Sequence, residues 1–311
     1  MTPLGALDDV VARLGPLAVR DAPLGARTTY RVGGTAALLV EARRVEDLER
    51  LASALDGAEV PILVVGRGSN LLVADRGFDG VAVVLAGAFE SIDPMVGLAD
   101  GTVSVRAGGA VALPVLARRC ADQGLTGLEW GVGIPGSVGG AVRMNAGGHG
   151  DDTASSLLRA EVVNLRDAIA SERTPSSLGL SYRHSNLAPD EVVVAATFVV
   201  ARGDPAAARE RVADVVRWRR EHQPGGPNCG SVFQNPPDDH AARLIEAAGA
   251  KGRRHGTATV SDKHANFIQA DRDGSADDVA ALIDEVRDLV AEDSGVTLRT
   301  EVVFVGFGGC R

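Results

Sequence analysis

The chain has 311 residues, and its 38 glycines are about 12% of them against a usual ~7%. Its 41 acidic side chains outnumber 32 basic ones, a net charge of −9 that argues against a nucleic-acid partner, and 45% hydrophobic content excludes global disorder. The glycines have no three-residue period, no run approaches the ~18 apolar residues of a membrane span, and Met1 to Arg20 lacks the basic start and apolar core of a secretory leader, so collagen, a membrane protein and a secreted one are not expected.

The chain alternates short β-rich runs with amphipathic helices. Leu48, Leu51 and Leu55 share one face of a helix predicted over Val45–Leu55. Strands are predicted at Ile62–Val65, Val81–Leu85, Thr102–Arg106 and Glu161–Leu165. Val192–Val200, longer and β-branched, reads as a central strand. A charged helix covers Arg209–Arg220. The clearest helix starts near Ser275, which caps it with Asp278 three positions on, and Gly295 ends it. Its apolar set is Val279, Leu282, Ile283, Val286, Leu289 and Val290; Glu301–Val305 follows as a last strand.

Loop-like composition at Ala86–Gly101 and the Gly203/Pro205 stretch mark boundaries, so segments 1–85, 86–205 and 206–311 are expected. No internal repeat is evident. Cys120, Cys229 and Cys310 are odd in number, far apart and without a CxxC pair, which fits a reducing cytosol. His149, His184, His222, His240, His255 and His264 form no HExxH, and no zinc site is expected.

Two segments concentrate glycine. In Gly66-Arg67-Gly68-Ser69-Asn70-Leu71, after a strand, successive N–H groups can turn into one concavity and suit a phosphate; a plain tight turn fits as well. It is neither a Walker A loop nor GxGxxG. The second runs from Gly131 to Gly150 with eight glycines, a costly composition unless backbone lies against a large ligand or the loop is flexible. Two such cradles about 65 residues apart suit a dinucleotide with a central pyrophosphate.

At this point the motifs become specific. Thr28-Thr29-Tyr30-Arg31-Val32-Gly33-Gly34, Gly66–Leu71 and Ile134–Asn145 resemble the flavin domain of the UDP-N-acetylenolpyruvoylglucosamine reductase family. So do Ser181-Tyr182-Arg183-His184-Ser185, Gly230-Ser231-Val232-Phe233-Gln234-Asn235-Pro236, Lys263-His264-Ala265-Asn266-Phe267 and Leu298-Arg299-Thr300-Glu301-Val302 in the C-terminal half. The likeness runs from about residue 24 to 306, and seven motifs in order make it specific where each alone is weak. The short stretch between Arg183 and Ser231 resembles the subclass without a long substrate-covering insertion.

The resemblance implies an α+β chain: a two-lobed FAD-binding region of the vanillyl-alcohol-oxidase type, then a smaller α/β substrate-binding domain. It implies a cytoplasmic enzyme, compatible with a monomer, that uses FAD and NADPH. The reaction would reduce the enolpyruvyl ether of UDP-N-acetylglucosamine to UDP-N-acetylmuramate for peptidoglycan. Flavin N5 would give hydride to the vinyl carbon, leaving charge that spreads into the carboxylate. Carried over residue by residue, Arg183 would bind that carboxylate in a fork, Ser231 would donate the proton, and Glu301 would assist beside them. Cofactor contacts would come from Tyr30, Arg31, Gly33, Gly66, Arg67, Gly68, Ser69, Asn70, Leu71, Ile134, Pro135, Gly136, Ser137, Gly139, Gly140, Ala141, Asn145 and Gly147. Tyr182 and Asn235 would contact substrate. The chain departs from the pattern at Gln234, where lysine is common, and at Gly148-His149, where Ala-Tyr is frequent.

Without the family, Arg183 reads as a surface ion pair, Ser231 as a turn residue and Glu301 as a solvated strand position. A thiol nucleophile at Cys229 lacks an evident partnered base, and no GxSxG elbow surrounds Ser231.

Overall fold

A computed structural model describes residues 3–308, and Cys310 lies outside them. The chain divides into two compact units. The first comprises residues 1–20, 38–67 and 80–218; the second comprises 21–37, 68–79 and 219–311.

The first unit is built on a mixed-length sheet in the order Ala170–Arg173, Leu157–Asn164, Glu191–Arg202, Val103–Gly108, Val96–Gly97. The β-branched run is its central strand, as its composition predicts. Glu191–Arg202 pairs antiparallel on both sides, with Ala195 opposite Gly108 and Val163 opposite Val192. Seven of its residues in succession, Val192 to Phe198, are buried, so both faces of the strand are packed. Leu125–Thr126 extends the pairing at its far end. Val105, Leu116, Val138 and Phe198, all fully buried, fill the core against this sheet.

The helix Val45–Leu55 buries Leu48, Leu51 and Leu55, as their spacing requires, and the Asp47 carboxylate accepts the Arg43 N–H at 2.9 Å. Ile62–Val65 pairs in parallel with Phe78–Leu85, Ile62 opposite Val81. The expected loop after Leu85 holds more structure than its composition suggests. Gly87–Glu90 forms a 3₁₀ turn and Val96–Gly97 pairs with Val103–Gly108.

In the second unit the helix Ala276–Ser294 places Val279, Leu282, Ile283, Val286 and Val290 in the core. The Ser275 hydroxyl caps it by accepting the Asp278 N–H at 3.1 Å, and Gly295 closes it at φ +72°. Arg254–His255, Ala258–Val260 and Ile268–Ala270 form an antiparallel sheet. Leu71–Val73 and Val303–Val305 pair in parallel. The last strand therefore begins at Val303, two residues later than the apolar pattern predicts, and Glu301 lies before it.

The helix expected at Arg209–Arg220 runs Pro205–His222. Among the described residues no helix is long and apolar enough to cross a membrane.

Candidate active site

In the first unit, Arg183 sits at the tip of a reciprocal turn: Ser181 N–H donates to the His184 carbonyl at 3.1 Å and His184 N–H to the Ser181 carbonyl at 3.0 Å. Arg183 adopts φ +56°, a left-handed conformation uncommon for a side-chain-bearing residue. Its guanidinium donates to the Gly147 carbonyl at 3.2 Å and lies 5.0 Å from the Tyr182 ring centroid. Tyr182 itself is 56% exposed.

This turn is carried by the short helix Val138–Met144 and the residue that ends it. Asn145, 3% exposed and left-handed at φ +39°, donates to the Ser181 carbonyl at 3.0 Å and to the Asp152 carboxylate at 2.9 Å. Its own oxygen accepts the Ala154 N–H at 2.9 Å. The carboxamide is thus spent on protein partners. Ser185 donates to the Arg143 carbonyl at 2.6 Å, and the Arg143 guanidinium spans the carbonyls of Leu187, Ala188 and Glu191.

In the second unit the extended segments that carry Ser231 and Glu301 run side by side, outside any regular strand. The Glu301 N–H donates to the Val232 carbonyl at 2.7 Å, the Gln234 N–H to Arg299 at 2.9 Å, and Phe233 bridges to Thr300. Ser231 follows Gly230, which turns at φ +82° with its N–H on the Asn228 side chain at 3.0 Å. Asn235, expected at the substrate, uses its side-chain oxygen to accept the Ala241 N–H at 3.1 Å and so starts the helix Ala241–Ala247.

One residue that sequence reasoning left without a role stands out. Asn266 is 3% exposed; its side chain accepts the Phe233 N–H at 2.9 Å and donates to the Phe233 carbonyl at 2.8 Å. Its main-chain carbonyl accepts the Val232 N–H at 2.9 Å. The signal was its place in the Lys263–Phe267 motif, but nothing in that motif names its partner.

The glycine segments sort into two kinds. A Cβ on Gly33 would lie 2.1 Å from the Val73 carbonyl oxygen and one on Gly68 would lie 2.4 Å from that of Arg27, so both positions are required by backbone packing. Gly34 is closed in the same way by Asp75 at 2.4 Å. Tyr30 is fully buried in the core of the second unit, so its ring has no surface to offer a ligand. In the first unit, by contrast, a Cβ on Gly66 would meet only the Ser137 hydroxyl, at 2.6 Å, and one on Gly140 only the same hydroxyl, at 3.3 Å. Gly136 and Ser137 are buried, and their N–H groups meet no acceptor among the described residues. Buried amides without acceptors beside a strip kept clear of side chains are what an anionic dinucleotide requires. The residues present therefore fit FAD. Ile134 and Pro135 precede this strip, with Gly139 and Ala141 following, and the Gly139 N–H is already taken by the Gly109 carbonyl. In the second unit the N–H groups of Ser69 and Asn70 meet no acceptor among the described residues, while Leu71 opens a strand. Arg67 and left-handed Arg31 are both exposed.

The nucleophile reading of Cys229 fails on chemistry: burial, foremost, pushes its thiol up to about 12, so no thiolate forms near neutral pH. The Tyr30 hydroxyl faces that thiol without the geometry of a hydrogen bond, and burial drives its pKa well above the usual phenol value. His264 is held down by burial, and its Nδ1 accepts the Asn266 N–H at 3.3 Å. His149, in the segment that departs from the family pattern, packs edge-on against Trp218 at 5.0 Å.

Comparison with known proteins bears on the whole chain. Residues 36–169 match the family model described as FAD binding domain, and residues 221–305 that of the UDP-N-acetylenolpyruvoylglucosamine reductase C-terminal domain. The chain is 44% identical over 290 residues to a protein of that name from Synechococcus sp. (strain WH7803), covering 92% of each. It is 41% identical over 301 residues to one from Rubrobacter xylanophilus, covering 96% of this chain and 99% of that one. Among solved structures, the UDP-N-acetylenolpyruvylglucosamine reductase of Thermus caldophilus superposes with a TM-score of 0.79 at 34% identity, covering 93% of this chain and 98% of that one.

Proposed function

Since the chain belongs to the UDP-N-acetylenolpyruvoylglucosamine reductase family, we propose that it reduces the enolpyruvyl ether of UDP-N-acetylglucosamine to UDP-N-acetylmuramate with NADPH as reductant, in the cytoplasm. It is an FAD-dependent oxidoreductase of peptidoglycan precursor synthesis. The observation that supports the finer reading is the apposition of the segments bearing Ser231 and Glu301, joined by the 2.7 Å bond from Glu301 N–H to the Val232 carbonyl and by the bridge between Phe233 and Thr300.

FAD, when bound, supplies the two-electron carriage from NADPH to the terminal vinyl carbon. The buried Gly136 and Ser137 amides, beside the strip kept clear of side chains at Gly66 and Gly140, would hold its pyrophosphate. Reduction of the vinyl group puts negative charge on the adjacent carbon and into the carboxylate. Arg183 binds that carboxylate, its guanidinium kept in place by Gly147 and Tyr182. Ser231 gives its hydroxyl proton to the new carbanion and regains one from solvent, so the product holds two more hydrogens and two more electrons than the substrate. Glu301 orients the groups around that proton. Tyr182 and the Asn235 amide are assigned to the sugar nucleotide by their place in the family motifs, and Gln234 leaves its segment without a positive charge.

The test is a turnover measurement. Purified protein should be yellow, release FAD on denaturation, and oxidise NADPH only when the enolpyruvyl sugar nucleotide is present. A colourless protein, or NADPH oxidation independent of the sugar, would sink the reading.

A further inference from the structure

We propose that Asn266 is the positioning residue that sets Ser231 in its proton-donating place, an inference that rests on the role given to Ser231 above. A serine hydroxyl is a weak acid, so it serves as a proton donor only through placement, and a displacement of about 1 Å costs on the order of 10²-fold in rate. The structure supplies that placement from one residue. The Asn266 carboxamide holds both main-chain groups of Phe233, accepting its N–H at 2.9 Å and donating to its carbonyl at 2.8 Å, while the Asn266 main-chain carbonyl takes the Val232 N–H at 2.9 Å. Three hydrogen bonds thus fix the two residues that follow Ser231. On the other side, Asn228 fixes Gly230 at 3.0 Å.

The chemistry asks for asparagine in particular. A carboxamide carries an acceptor and a donor at one end and so imitates a pairing strand; aspartate keeps only the acceptor, and alanine keeps neither. Val232, Phe233 and Asn266 are all buried, so water does not compete for these bonds and leaving one unmade is costly. The clamp is itself anchored: the Asn266 N–H donates to His264 Nδ1 at 3.3 Å and the Phe267 N–H to the His264 carbonyl at 3.0 Å. The role does not require Asn266 to touch substrate or cofactor.

The experiment uses the full-length FAD-loaded protein as Asn266→Ala, Asn266→Asp, Ser231→Ala and the Ser231→Ala/Asn266→Ala double variant. Each is reduced with dithionite and mixed anaerobically with the enolpyruvyl sugar nucleotide, and reoxidation is followed in the flavin band. Asn266→Ala should slow reoxidation by about 10- to 100-fold with sugar affinity changed by less than about threefold. The double variant should be no slower than Ser231→Ala, because a positioning residue has nothing left to position. Hydrogen exchange provides a readout independent of activity: in Asn266→Ala the Phe233 amide, which donates to the lost carboxamide, should lose protection while the helix Ala276–Ser294 keeps its own. If Asn266→Ala does not fold, Asn266→Asp carries the same test, with slowed reoxidation that disappears as a separate effect in the Ser231→Ala background. Unchanged reoxidation in a folded Asn266 variant, or slowing that multiplies that of Ser231→Ala, overturns the clamp. Full-speed reoxidation by Ser231→Ala instead overturns the reading of Ser231, and the clamp's purpose with it.

Discussion

The side-chain amide of Asn70 donates to the main-chain carbonyl of Glu301 at 2.9 Å, joining positions 231 residues apart in sequence. The Asn70 carbonyl takes the Val303 N–H at 3.0 Å, so one residue holds the backbone on both sides of Val302 and opens the parallel pair Leu71–Val73 with Val303–Val305. The segment expected to cradle a phosphate is therefore also the support of Glu301. Asn70→Asp keeps the size and removes the donor, placing a carboxylate against a carbonyl oxygen. The expected result is a roughly tenfold loss in kcat, about 1.4 kcal/mol of barrier, with FAD content and KM for the sugar nearly unchanged. Loss of bound flavin with normal kcat in the remaining holoenzyme would assign Asn70 to the cofactor alone.

Arg183 combines a left-handed backbone, a guanidinium bond to Gly147 and a ring neighbour in Tyr182. Lysine retains the charge but not the planar fork that meets a carboxylate and a carbonyl together. Arg183→Lys should lower kcat/KM for the sugar by about 10²-fold while leaving flavin reduction by NADPH intact. Stopped-flow measurement of the two half-reactions distinguishes this from a general loss of structure, which would slow both.

The parts of this molecule written in local sequence were legible: Leu48, Leu51 and Leu55 on one helical face, Ser275 with Asp278 at a cap, the β-branched centre of Glu191–Arg202. Each depends on residues a few positions apart. The pairing of Leu71–Val73 with Val303–Val305 depends on partners far apart in the chain, and no periodicity announces it. The asparagines were the least legible. In the sequence Asn70 and Asn145 read as cofactor contacts and Asn266 as a motif position without a role, yet each spends its carboxamide on the backbone beneath Glu301, Arg183 or Ser231, and only tertiary placement reveals the partner. The glycine excess, too, had two causes that composition merges.

Those two causes predict opposite phenotypes. Gly33 sits at φ +105° with the Val73 carbonyl 2.1 Å from the site of a Cβ, so Gly33→Ala should destabilise the fold by more than about 2 kcal/mol whether or not flavin is present. Gly66 has only the Ser137 hydroxyl in the way, at 2.6 Å, and that hydroxyl accepts the Gly140 N–H at 3.2 Å. Gly66→Ala should fold with little change in urea midpoint for the flavin-free protein but bind FAD at least about tenfold more weakly, as backbone cradles tolerate no added side chain. Equal loss of stability in both variants would mean that Gly66 is a packing glycine as well.

His264 predicts a pH dependence. Burial, foremost, lowers its pKa from 6.5; Lys251 and His222 push the same way, against its own backbone hydrogen bond and Glu246. In the unfolded chain the ring regains its ordinary value, so between that value and the lowered folded one the unfolded state binds more protons. Stability should therefore be level, as far as this group is concerned, above pH 6.5 and fall as pH drops through that window. The structural reason is direct: the neutral ring offers Nδ1 to the Asn266 N–H, and a protonated ring would present a hydrogen there instead. His264→Gln keeps an acceptor without a titratable ring. Urea denaturation midpoints measured from about pH 5.5 to 7.5 should slope downward towards acid in the parent and more shallowly in the variant, the difference isolating His264 from the carboxylates both share. Parallel slopes would show that His264 binds its proton equally in both states and that the Asn266 contact does not depend on a neutral ring.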